Sequence, residues 1–402
     1  MANTGTHTSE MKNPGPWQIG GSTRVLFAGM AVLGALCIAG GISTGQASRV
    51  WANVVSNYFL YFCIALGGAF FVALGYVAGA MWNTPVRRIA EGFTTFLPVA
   101  AVIGLIIMVF GGHSLYEWMH TDVIQNDALL ASKAGYLNPK FAIGRTIGFF
   151  LVWLLLARAL VRNSLAQDLT GDAAFTLKNM KLSAIFIPFF GVGFSFLSYD
   201  YIMSIEAHWF STMFGVYCFS GLFYSTLCAI TIVALLMKRR GLIPLNDDHL
   251  QDLGKFMFGF TVFWAYIGFS QFMLIWYANM PEETVYYLSR SHGGWYYVCW
   301  AVLIMKFVIP FFLLMPRGAK RCEKHMMRMA CFMLVAHWLD YYLLVMPAFA
   351  PQGPVFGWIE AGIALGFFGL FALVVSFFYS RVPAMPFRDP RLSEAMSYQV
   401  VP

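Results

Sequence analysis

Ten stretches of about 20 mostly apolar residues recur along the 402-residue chain, and they constrain its fold more tightly than anything else in it. They fall near 25–42, 55–81, 92–110, 141–160, 181–198, 209–237, 256–279, 295–315, 327–347 and 356–379. At ~1.5 Å per helical residue, each can cross a hydrocarbon layer of about 30 Å. Lipid offers no partner to a backbone N–H or C=O, so a segment of this kind must satisfy its own as a helix. A transmembrane barrel is excluded, because its strands alternate polar and apolar residues and give no such runs. The chain reads as an all-α polytopic membrane protein with ten transmembrane helices.

Composition agrees. Hydrophobic residues make up 59% and charged residues 11%, against roughly 25% charged in a soluble domain. A polar stretch of 24 residues precedes the first apolar run and no A-x-A site follows it, which argues against a cleavable signal peptide. The net charge of +7 marks loop orientation and not nucleic acid. With the N-terminus inside, 20 of the 26 Lys and Arg residues fall in inner segments, Lys12, Arg87 and Arg88 among them. Five fall outside (Arg49, Lys133, Lys140, Arg145 and Arg290), and Lys306 alone lies within a span. This split predicts that both termini are cytoplasmic. Residues 1–24 and 380–402 are then cytoplasmic segments flanking a membrane domain over 25–379, and no loop is long enough to fold as a soluble domain.

A short internal match suggests two repeats. Asp200-Tyr201-Ile202-Met203 follows the fifth segment and Asp340-Tyr341-Tyr342-Leu343 lies in the ninth, while the fourth and eighth segments both run to basic ends. Helices 2–5 (about 55–198) and 6–9 (about 209–347) would form two parallel-repeat four-helix bundles, with helices 1 and 10 peripheral.

Ionisable groups in hydrocarbon cost roughly 3 kcal/mol or more, so each needs a reason. Counted from the basic ends of their segments, Lys306, His337 and Asp340 lie about 16, 14 and 18 Å deep, near the middle of the layer. His337 and Asp340 are three residues apart and share a helical face. Two readings compete, a buried proton-transfer set and an ion pair that only fixes two helices. A second polar group lies nearer the outer face: Asp200, Glu206 and His208 between helices 5 and 6, and Gln271 in helix 7. His113 and Glu117 follow helix 3, and Glu360 lies just inside helix 10. These residues either cap helix ends or line an outward-opening half-channel or quinol pocket. No CxxC occurs among the seven cysteines, and His337 is the only histidine near the midplane. The expectation is therefore no covalent or metal-ligated cofactor, neither haem nor iron–sulfur cluster.

The stretches SYDYIMSIEAHWFSTMFGVYCFSGLFYS (198–225), YANMPEETVYYLSR (277–290) and HWLDYYLLVMP (337–347) resemble the polysulfide-reductase-like (NrfD-like) membrane subunits, and among them the smaller such subunit of bacterial alternative complex III. The likeness runs over nearly the whole chain. It implies a place in a quinol:electron-acceptor oxidoreductase of the bacterial cytoplasmic membrane, working on menaquinol or ubiquinol. Implied partners are a larger homologous NrfD-like subunit, iron–sulfur and multihaem cytochrome c subunits on the outer side, a terminal oxidase, and lipids. It also implies a proton route through Asp200, Glu206, His208, His337 and Asp340; Lys306 and Gln271 join that set on depth alone. The alternatives are a quinol-oxidising site within this subunit or, less favoured, an independent secondary transporter.

Overall fold

The computed structural model of the protein describes residues 13–397, and Lys12 lies outside them. Among the described residues, ten helices are long and apolar enough to cross a membrane. They are α1 (Gly21–Ser43), α2 (Ala47–Val77), α3 (Thr84–Leu115), α4 (Pro139–Thr170), α5 (Ala174–Tyr201), α6 (Phe214–Arg239), α7 (Asp247–Ala278), α8 (Trp295–Leu314), α9 (Glu323–Ala348) and α10 (Trp358–Tyr379). All ten expected spans are present, and the described residues hold no β-strand, only an isolated bridge between Pro16 and Pro383.

Several helices start earlier than their apolar runs do. α2 begins at Ala47 and not at 55, α3 at Thr84 and not at 92, α7 at Asp247 and not at 256. The added turns carry Arg49 and Asn53, then Arg87, Arg88 and Glu91, then Asp247 and Asp248. Polar residues end a hydropathy window but do not end a helix. Side-chain caps set some starts: Asn138 accepts from the Phe141 N–H before α4, and Asn246 from the His249 N–H before α7. Gly171, with φ +74°, turns the chain left-handed to close α4.

α2 is the most buried span and the hub of the molecule. Helices α2, α3, α4 and α5 contact one another in a closed ring, and α6, α7, α8 and α9 close a second ring in the same order. The rings meet where α2 packs on α6 and α9 and α5 packs on α6. α10 lies against α2, and α1 lies chiefly along α10. That last contact is made by glycine. A Cβ on Gly34 would stand 2.5 Å from the Gly366 Cα, so the two backbones touch where any side chain would hold them apart.

The turns α2–α3, α4–α5, α6–α7 and α8–α9 share one end, here the basic end. The longer loops lie at the other, with short helices Thr121–Asn126, Ala128–Lys133 and Pro281–Ser291. Arg87 and Arg88, read from sequence as a flank outside the hydrocarbon, are buried in the first turns of α3. Arg88 pairs with Glu91 at 2.5 Å and with Asp168 of α4, and Arg87 reaches Glu91 at 3.3 Å and Asp389 of the C-terminal tail at 2.7 Å. The tail therefore folds back over the basic end, where Arg388 also donates to the Leu169 carbonyl at 2.6 Å.

Candidate functional site

Three of the singled-out residues converge between α8 and α9. A π-helical turn, Ile304–Val308, interrupts α8 and carries Lys306, while His337 and Asp340 present one face of α9. All three are fully buried. The Lys306 Nζ donates to Asp340 Oδ2 and lies 2.8 Å from His337 Nδ1. His337 Nδ1 is 3.6 Å from the same carboxylate oxygen. Asp340 Oδ1 accepts from the Tyr217 hydroxyl of α6 at 2.6 Å, so both carboxylate oxygens are bonded.

An ammonium has three protons to donate. One goes to Asp340, one is aimed at His337, and the charge also faces the Trp264 ring of α7, whose centroid is 4.4 Å away. If the amine donates, Nδ1 accepts, and the neutral imidazole carries its proton on Nε2. Among the described residues, that Nε2 has no hydrogen-bond partner, and neither does the nearby Tyr224 hydroxyl. The imidazole thus shows one nitrogen to the lysine and the other to a different wall of the site. One cation, one anion and one neutral ring sum to zero charge, the arrangement that a low-dielectric interior tolerates best.

The remaining candidates are not part of this cluster. Asp200 is held by Arg145 of α4 through two bonds, Nε to Oδ2 at 2.9 Å and Nη2 to Oδ1 at 2.8 Å. Glu206 pairs with Arg290 of the Pro281–Ser291 helix at 2.5 Å. Arg290 also donates to the Leu344 carbonyl at 2.9 Å and packs 3.6 Å from the Tyr286 ring centroid. His208 is half-exposed, 2.6 Å from Asp127 and 3.8 Å from Glu117. The N–H of Leu130 and the His208 ring hold the Asp127 carboxyl below its ordinary range. Gln271 is buried on α7 beside Tyr287. Glu360 is no exposed cap: it is buried, taking two bonds from Arg49 of α2 (2.8 and 2.7 Å) and one from Asn53 (3.0 Å).

The loop end holds a cleft of about 740 Å³, lined by His113, Glu117, His120, Glu206, His208 and Tyr286 among others. Several of the outer polar residues share this space. Comparison with known proteins leaves these residues unassigned: no family model matches the chain, and no curated protein matches it either. Among the described residues, no three His, Cys, Asp or Glu side chains are grouped to hold a metal ion.

Sequence reasoning missed Tyr217, Trp264 and Gly221, the α6 glycine against which the His337 ring packs. Tyrosine, tryptophan and glycine are ordinary in apolar spans, so only the fold marks these three. Arg145, counted with the outer loops from the charge split, lies within α4, six residues into the span.

Proposed function

We propose that this chain is an integral subunit of a quinol:electron-acceptor oxidoreductase of the alternative complex III type, without a redox cofactor of its own. It anchors the complex and carries protons through Lys306, His337 and Asp340. The observation that carries this reading is the cluster itself: an amine, an imidazole and a carboxylate in mutual contact, fully buried between two membrane helices. Packing alone would need only the ion pair. The imidazole adds a ring that can take up a proton at one nitrogen and release it from the other. The likeness of segments 198–225, 277–290 and 337–347 to NrfD-like subunits supplies the complex and its partners: a larger homologous membrane subunit, iron–sulfur and multihaem cytochrome c proteins at the loop end, and a terminal oxidase. It also supplies the setting, the bacterial cytoplasmic membrane, and the bias of basic residues toward one set of segments supports cytoplasmic termini.

The test is the paired change Lys306→Met with Asp340→Leu, which removes both charges and leaves neither buried alone. In the assembled complex the double variant is expected to oxidise quinol while proton release falls. Normal proton release from a well-assembled double variant would reduce the cluster to packing. A second reading, a quinol site within this subunit, draws on the loop-end cleft, where histidines and Tyr286 could meet a quinol headgroup. A photoreactive quinone that labels this cleft in the complex would favour it.

A further inference from the structure

The two helix rings hold two buried ion pairs in matching places. In each ring a carboxylate on the fourth helix meets a cation on the third, Asp200 with Arg145 and Asp340 with Lys306. A tyrosine follows the aspartate in both, Tyr201 and Tyr341, and each packs against α2, its ring 5.4 Å from Tyr58 in one case and 5.3 Å from Phe59 in the other. The cation precedes a Phe-Phe pair in both, Phe149-Phe150 and Phe311-Phe312.

Four differences separate the copies. The cation is arginine in the first and lysine in the second. Three residues before the aspartate stands buried Leu197 in the first and His337 in the second. Between the cation and the Phe-Phe pair lie residues 146–148 in the first but 307–310 in the second, one residue more. The backbone shows where that residue goes. α4 is α-helical throughout, whereas α8 opens into the π turn Ile304–Val308 that contains Lys306. A π turn bonds i to i+5, so it absorbs an extra residue without breaking the helix, and such turns gather at functional sites. The second pair also lies deeper: Lys306 is about 17 Å from the start of α8, Arg145 about 9 Å from the start of α4.

The chemistry of the two cations differs accordingly. The Arg145 guanidinium grips both Asp200 oxygens, is flanked by the Tyr136 and Phe141 rings at 3.8 and 4.3 Å, and keeps its charge under all conditions a protein meets. An ammonium can give up a proton, and His337 Nδ1 stands 2.8 Å away to receive it. Leu197 offers the first pair nothing comparable.

We propose that Arg145–Asp200 and Lys306–Asp340 are two versions of one ion pair, the first a fixed lock and the second converted, by lysine, histidine and the π turn, into the site that exchanges protons. The proposal rests on the reading of the cluster as proton-carrying. In the exchange an Nζ–H bond of Lys306 breaks as an N–H bond forms at His337 Nδ1. The imidazolium then passes its Nε2 proton to a water molecule on the Tyr224 side, which leaves as hydronium. A hydronium ion on the lysine side returns a proton to the amine and becomes water, and water-borne exchange of the Nδ1 proton for one on Nε2 restores the starting tautomer. Asp340 stays a carboxylate throughout and Asp200 takes no part. Other titratable groups facing the cluster are Tyr217, Cys218, Tyr224 and Cys228 of α6, Cys63 of α2, Cys299 of α8 and Tyr341 of α9, all neutral in their ordinary forms near pH 7.

The experiment uses the full-length chain in lipid vesicles, with histidine isotopically labelled and infrared difference spectra taken on stepping the pH, together with proton release by the assembled complex. Wild type should show a His337 protonation signal, recognised by its loss in His337→Leu. Lys306→Arg should abolish that signal and proton release while the melting temperature stays near wild type, and Arg145→Lys should change neither. If Lys306→Arg fails to assemble, His337→Leu installs the first ring's own residue and must abolish proton release in its place. A retained signal and retained release in Lys306→Arg, or their loss in Arg145→Lys, would overturn the division into lock and exchanger. Proton release surviving in the Lys306→Met, Asp340→Leu pair would instead refute proton carriage itself, however the arginine variant behaves.

Discussion

Gly221 of α6 faces the imidazole of His337 so closely that a Cβ in its place would lie 2.5 Å from Cε1 and 3.1 Å from Nε2. The ring is therefore seated by an absent side chain. Gly221→Ala must push it aside, and the 2.8 Å approach of Nδ1 to Lys306 gives first. Overpacking of this kind costs roughly 1–3 kcal/mol, so the variant should still fold. Its melting temperature in detergent should fall modestly, while proton release falls much further. Equal, small losses in both would show that ring position is unimportant.

Tyr217→Phe removes the one hydroxyl that bonds Asp340 Oδ1. The carboxylate keeps Lys306 on its other oxygen but gains a buried, unpartnered one, at a cost of about 1–3 kcal/mol. A chemical-denaturation midpoint unchanged from wild type would mean that water takes the vacated place.

The C-terminal tail should release in acid. Burial raises the affinity of Asp389 for a proton, but Arg87 and Arg391 outweigh it and hold the carboxyl well below its ordinary range. Because the docked value is the lower one, the contribution to docking is complete above the ordinary carboxylate value, near 3.9, and is lost only as pH falls through the docked value. Docking should therefore be flat with pH around neutrality. Asp389→Asn removes the charge at every pH and leaves Arg87 buried with only Glu91, a loss on the order of 3–5 kcal/mol. Trypsin should then cut at Arg388 and Arg391 far faster than in wild type. Unaltered cleavage would show that the tail is held by other contacts.

Glu360→Gln should loosen α10 from α2. The change ends the two-pronged grip of Arg49, whose side chain is about one-quarter exposed and so is partly repaid by water. The expected loss is on the order of 1 kcal/mol at this partly exposed site, read as a lower melting temperature with proton release intact.

Single cysteines at Asp122, in the longest loop, and at Arg240, in the α6–α7 turn, should label from opposite sides of intact cells, with Arg240 the protected one. Labelling of both from outside would overturn the orientation drawn from the basic residues.

The cluster was legible in the sequence to the extent that charge announces itself in an apolar run. Lys306, His337 and Asp340 stood out by depth, and the i, i+3 spacing put two of them on one face. Asp200, Glu206 and His208 stood out just as plainly, yet the fold gives each a different partner: Arg145, Arg290 and Asp127. Those partners lie 55, 84 and 81 residues away, beyond the reach of any local pattern. Arg87 and Arg88 show the same limit. In sequence an arginine pair at a span's edge means a wet flank, and only Asp168 and Asp389, brought in from distant segments, make its burial tolerable. The π turn could be inferred only by laying one half of the chain on the other, since nothing within 304–308 breaks the helical pattern.

The glycine seam between α1 and α10 bears on the order in which the protein is made. Gly34 finds Gly366 only after roughly 300 further residues have left the ribosome, which at about 5–20 residues per second takes tens of seconds. Through that interval the first helix sits in the bilayer with its notch uncovered, touching little but lipid. Arrival of the last helix joins the two ends of the chain, so any shortened product that stops before α10 displays an open glycine groove. A membrane protease or insertase could read that groove as the sign of an unfinished molecule.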